Sequence, residues 1–104
     1  MLAPYPIDAA RVAALYAIRD RLPGNDARSG RARLLEALQT LGHVTTFEAM
    51  RFLDVFDPRP RKLELVRLGF PIELHWRQVA TESGKSHRIG LYAMNRTAEK
   101  GAVP

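Results

Sequence analysis

The sequence predicts an α+β domain with helices first and a β-hairpin last. Three observations predict it. Between residues 8 and 69 the apolar residues recur mostly at three- and four-residue intervals, the helical period. After Gly69 the period falls to two, first over residues 72–79 and again over 87–94. Residues 44–72, VTTFEAMRFLDVFDPRPRKLELVRLGFPI, hold two short helical patterns joined by a turn and closed by a glycine.

Residues 1–7 contain Pro4 and Pro6 and are expected to be an irregular lead-in. Asp8 suits the N-cap of a first helix reaching about Leu22. Its apolar stripe is Val12, Leu15, Ile18 and Leu22, with Tyr16 at the edge. Such a stripe either packs on its own domain or serves as an arm that pairs with a second copy in a homodimer. Pro23, Gly24, Asn25 and Asp26 form a turn, which Ser29 and Gly30 extend into a linker. The expected division is therefore an N-terminal helix and linker over 1–30, a main domain over 31–94, and a frayed tail over 95–104.

A second helix is expected from Arg31, ended by Gly42. Leu34, Leu35, Leu38 and Leu41 face the core, and Arg31, Arg33, Glu36 and Gln39 face out. Arg28, Arg31 and Arg33 gather at its start, where the helix dipole disfavours cations. A bound phosphate would relieve that; plain solvated charge is the alternative reading.

Thr45 and Glu48 have capping-box spacing, so a third helix starts at Thr46. Ala49 and Leu53 lie on its inner face with Met50 beside them, and Phe47 and Phe56 are expected to join them against the leucines of the preceding helix. Residues 54–57 interrupt the pattern. A fourth helix begins at Pro58 or at Pro60, since first-turn amides have no intrahelical partner to lose. Gly69 stops it and Pro71 prevents its continuation. Arg59, Arg61, Lys62 and Arg67 lie on it, against Asp57 and Glu64. Leu63, Leu65, Val66 and Leu68 are too widely spread to show which face is inward. Helix, tight turn, second helix with a basic first turn is the sequence shape of a helix-turn-helix.

In the first strand Ile72, Leu74 and Trp76 alternate with Glu73, His75 and Arg77. Residues 81–86 form a turn. In the second strand His87, Ile89, Leu91 and Ala93 alternate with Arg88, Gly90, Tyr92 and Met94. Trp76 and Tyr92 are expected to close the core between sheet and helices; either one exposed would suit stacking on bases instead.

The segment over about residues 31–92 resembles the small winged helix-turn-helix domains of bacterial and prophage proteins. The likeness is carried by LLEALQTLG, VTTFEAMRFL, the turn into the arginine-containing helix, GFPIE, and a wing with GK in its turn and GLYAM at its end. One departure is visible. Such domains often show an apolar residue, then Leu three later followed by Arg, before the glycine; here those places hold Lys62, Leu65 and Val66. The resemblance implies a three-helix core plus a C-terminal hairpin wing, with the first helix as an addition.

Composition narrows the function. The chain has no Cys, which excludes disulfides, thiol catalysis and Cys-type zinc sites. His43, His75 and His87 lack the spacing of a helical metal pair, although the last two lie on the two wing strands as candidate cross-strand neighbours. No metal, cofactor or enzymatic activity is expected. No run is long enough for a membrane span and no signal peptide is evident, so a cytoplasmic protein is expected. The net charge is +5, and residues 1–27 contribute none of it. The capped helix pair, the basic second helix and the basic wing make double-stranded DNA the expected partner, and a transcriptional regulator or accessory factor of phage or prophage type the expected role. Arg59 and Arg61 are placed to reach guanine, Lys62 and Arg67 to hold phosphates. Thr45 and Thr46 could meet a phosphate at a helix start, and Lys85, Ser86 and Arg88 lie near the wing tip. The alternative is a winged helix that docks a protein, for example a phage-encoded inhibitor of a host protein.

Overall fold

A computed structural model describes residues 8–80 and 83–95. The expected lead-in, the start of the hairpin turn and the tail from residue 96 lie outside the described residues. The elements run α1 (Ala9–Arg21), α2 (Ala27–Leu41), β1 (His43–Thr45), α3 (Thr46–Arg51), α4 (Pro58–Arg67), β2 (Ile72–Ala80) and β3 (Ser86–Met94). The strands form one antiparallel sheet in the order β1-β3-β2.

The helix starts follow their caps. Asp8 accepts from the amide of Ala10, and Asp57 caps α4 with Pro58 at its first positions. Of the two proline starts, α4 uses Pro58. Thr45 and Glu48 complete the capping box in both directions, each at 3.0 Å. Gly42 ends α2 with φ +87°, a conformation costly for any side chain, and its carbonyl accepts from Met94.

Three expectations change here. First, α2 begins at Ala27, not Arg31, because the Asp26 carboxylate accepts from the amide of Ser29 and caps it. Ser29 and Gly30 are thus helical. An added Cβ at Gly30 would meet the Arg61 side chain at 3.7 Å, an ordinary contact distance, so this point of α2 faces α4. Second, His43 lies in strand β1, which pairs residue for residue with Ala93, Tyr92 and Leu91. Three residues are too few to display a period, so the sequence shows only a turn there. Third, the arginine cluster at the start of α2 disperses. Arg31 pairs with Glu64 at 3.3 Å, and Arg33 turns inward and is only 2% exposed.

One core joins the helices and the sheet. Leu34, Ala37 and Leu38 of α2 meet Val44, Ala49, Leu53 and Leu65, with Ile72 and Tyr92 of the sheet closing the cluster. Each buried leucine of this kind contributes about 2 kcal/mol. Leu15 and Ile18 of α1 are buried in the same cluster. The stripe expected to serve either the domain or a second copy is thus used internally. Arg11 fastens α1 further, bonding both Glu48 carboxylate oxygens and the His43 carbonyl.

Phe56 does not join the core. Its neighbour Val55 does, and Phe56 stands 93% exposed. The cause is the turn between α3 and α4, where Asp54 takes a positive φ of 55° and points Val55 inward. Phe47 is likewise at the surface, where Arg51 lies over its ring at 5.7 Å.

Candidate nucleic-acid interface

The start of α3, the first turn of α4 and the base of the β2–β3 wing enclose an open groove of about 520 Å³. Its lining is mostly apolar: Met50, Phe56, Leu74, Trp76 and Tyr92. Thr46, Arg59 and Arg88 add polar groups at its edge. The register explains the wing's contribution. Leu74 opposes Tyr92 and Trp76 opposes Gly90, so these side chains share the face of the sheet turned toward the helices. Tyr92 lies over the core and is buried. Trp76 lies two residues beyond Leu74 on β2, at the open groove, and is 57% exposed. The alternation thus gave the right face, but only part of that face is covered. Gly90 sits at a close crossing, where an added side chain would press on its neighbours. A Cβ there would stand 3.1 Å from Thr46 Cγ2 and 3.3 Å from Leu74 Cδ1.

The expected contact residues have different surroundings. Arg59 has a side chain 81% exposed and sits at the groove's edge. Its guanidinium donates to both Asp57 oxygens, at 3.0 and 3.1 Å. That bond holds the Asp57 carboxyl below its ordinary value and raises Arg59 above its own. Arg67 is exposed, Lys62 half-buried, and neither has an ion-pair partner among the described residues. On the wing, Lys85, Ser86 and Arg88 are all exposed. Ser86 donates to Gln78 at 2.7 Å, and the Arg88 guanidinium lies 4.5 Å from the Trp76 ring centre. Thr46 is half-buried and lines the groove.

Arg61 and Thr45 have other work. Arg61 makes a bidentate pair with Glu64 at 2.8 and 2.9 Å, and the Arg31 contact extends that pair to α2. It braces two helices. Thr45 is fully buried and its hydroxyl accepts from the amide of Glu48. It shapes the start of α3 from inside and offers no hydroxyl to a ligand on the surface.

These elements, in this order, have a known counterpart. Residues 30–97 match the family described as the winged helix-turn-helix domain. The chain belongs to that family. A comparison with curated proteins returned no match.

In this winged helix-turn-helix domain, α2, α3 and α4 form the three-helix core and β2–β3 the wing. The family suggests DNA binding, and its fold is typically a non-enzymatic one. Among the described residues no group of His, Asp and Glu is placed to hold a metal ion. His75 opposes Leu91 and His87 opposes Val79, so the two histidines are not cross-strand partners. No helix among the described residues is long and apolar enough to cross a membrane. The residues sequence reasoning missed at this groove are Met50, Phe56 and Leu74, while Trp76, expected in the core, takes the exposed position for which stacking on bases is the alternative. Each reads as core, because hydropathy records what a side chain prefers and not whether the fold has something to cover it.

Proposed function

We propose that this domain binds double-stranded DNA, as a transcriptional regulator or an accessory DNA-binding factor of phage or prophage type. The phage setting rests only on the resemblance of its segments. The observation that carries the DNA reading is a single groove flanked by two cations from different elements, Arg59 of α4 and Arg88 of the wing. In a winged helix these are the elements that meet DNA, the second helix in the major groove and the wing beside it. Arg59 reaches base edges from the first turn of α4, exchanging the Asp57 carboxylate for a guanine edge or a phosphate. Lys62 and Arg67 hold phosphates along the helix, Thr46 meets one at the start of α3, and Lys85 and Arg88 follow the adjacent backbone.

Fluorescence anisotropy against mixed genomic duplex fragments, at two salt concentrations, tests this reading. The wild type is expected to bind at low salt and weaken steeply as salt rises. Arg59→Ala/Arg67→Ala is expected to lose roughly tenfold or more in affinity and to flatten the salt slope by about 2, one unit for each phosphate-class contact removed. Arg61 is left intact because its loss would disturb the seat of α4 on α2. Absence of salt-dependent duplex binding at low ionic strength would sink the proposal.

A second reading has its own observation. Leu63 and Val66 on α4 and Leu68 at its C-terminal cap are exposed, and two arginines of the helix, Arg59 and Arg61, are engaged by Asp57 and Glu64. Such a surface suits a protein partner, as in an inhibitor of a host protein. Leu63→Ser/Val66→Ser separates the two readings. If DNA affinity stays within about twofold while a partner isolated with the wild type is lost, the helix docks protein.

A further inference from the structure

The groove holds more apolar surface than phosphate contacts explain. Met50, Phe56, Leu74 and Trp76 come from three separate segments and converge on one concavity. Its edge is cationic, and its one carboxylate, Asp57, is already engaged by Arg59. We propose that this groove takes an unpaired DNA base, so that the domain favours duplex that carries a single-stranded extension or a bulge over fully paired duplex. The proposal rests on the DNA-binding reading and names the form of DNA that the same face prefers.

The chemistry of the lining selects this occupant. A nucleotide combines a flat, largely apolar base with an anionic phosphate. The groove offers a flat, half-exposed indole with guanidinium groups on its margin. Trp76 already stacks a planar group, the Arg88 guanidinium at 4.5 Å. A base can take up the exposed indole surface while Arg88 turns to the phosphate that follows it. Thr46 supplies a hydroxyl at the same edge. Gly90 keeps the floor low, since a side chain there would enter the space between Thr46 and Leu74. A fully paired duplex offers the groove phosphates, sugars and base edges but no free base face, because its bases are stacked inside.

Trp76 is the single tryptophan of the chain, so its fluorescence reports on this groove directly. The probes are one blunt duplex, the same duplex with a five-nucleotide thymidine overhang, and the same duplex with a one-nucleotide bulge. Binding is followed by anisotropy and by tryptophan emission. The overhang or the bulge is expected to bind roughly tenfold tighter than the blunt duplex, and to quench emission where the blunt duplex does not. Which of the two does so tells whether the base comes from a strand end or from an opened duplex. Trp76→Ala is expected to bring the ratio of overhang or bulge affinity to blunt-duplex affinity down to within about twofold. The side chain is half exposed, so the variant should fold, and its circular dichroism and melting curve check this.

Equal affinity for all three probes with salt-sensitive binding overturns the inference and leaves the duplex reading standing. An unchanged preference in a folded Trp76→Ala also overturns it. Binding of the overhang but not the blunt duplex supports the inference and overturns the duplex reading. If no DNA binds or alters the emission, both fall, and the groove becomes a candidate for an apolar protein segment.

Discussion

Arg33→Ala is expected to lower the unfolding free energy by about 4 kcal/mol, enough to cost a domain of this size roughly 15 °C or more in melting temperature. Arg33 is almost fully buried, and its guanidinium donates to four carbonyl oxygens: Leu53 at 2.7 Å, Gly24 at 2.8 Å, Leu22 at 2.9 Å and Asp54 at 3.0 Å. Two of these lie in the α1–α2 turn and two in the α3–α4 turn. One side chain on α2 thus ties together the two connections that flank it. Removing it leaves several carbonyls short of a donor as well as a cavity. Arg33→Lys should recover little, because an ammonium cannot span acceptors arrayed around a planar fork. Urea unfolding of the three proteins checks this. A loss under 1 kcal/mol in the alanine variant would show that water replaces the guanidinium at no cost.

The second large effect concerns Glu48 and pH. Glu48→Ala removes the carboxylate half of the capping box and leaves Arg11 without its carboxylate partner, a loss of about 3 kcal/mol. Burial pushes the Glu48 carboxyl up, but its hydrogen bond from Arg11, the amide of Thr45 and the nearby guanidinium charge outweigh this and hold it below its ordinary 4.5. Its contribution is therefore complete above pH 4.5 and lost as pH falls through the lower folded value. His43 adds an earlier step. Burial first, then the Arg11 charge, hold its imidazole below the ordinary 6.5, against a smaller upward pull from Glu48. The folded state therefore takes up its proton later than the unfolded chain, and stability starts to fall once pH drops below 6.5.

Unfolding free energy measured from pH 8 to pH 3 should accordingly stay level to about 7, decline gently, then fall steeply below 4.5. His43→Asn should remove the gentle decline. Glu48→Gln should reduce the steep one without abolishing it, because Asp26, Asp57 and Glu64 are also held below their ordinary values. A profile that rises as pH falls from 7 to 5 would contradict the sign argued for His43.

The sequence by itself determined what depends on neighbours along the chain. Asp8, Thr45 with Glu48, Pro58 and Gly69 mark helix ends because a cap acts over two or three residues. The change of period after Gly69 located both wing strands, because alternation is intrinsic to the pleat. The family likeness, and with it the helix-turn-helix, was legible for the same reason.

Only the tertiary structure decided which side chains are covered, since burial depends on segments far apart in sequence. Arg33 reads as a surface cation because no local signal reveals carbonyls gathered from residues 22, 24, 53 and 54. Arg61 looks identical to Arg59 in the chain; a carboxylate three residues on and the approach to Gly30 turn it toward α2. Phe56 and Val55 exchange roles through one positive φ at Asp54. Strand β1 exists because β3 lies beside it to accept pairing. Trp76 is on the expected face of its strand, yet it lines the open groove between strand and helices and stays more than half exposed.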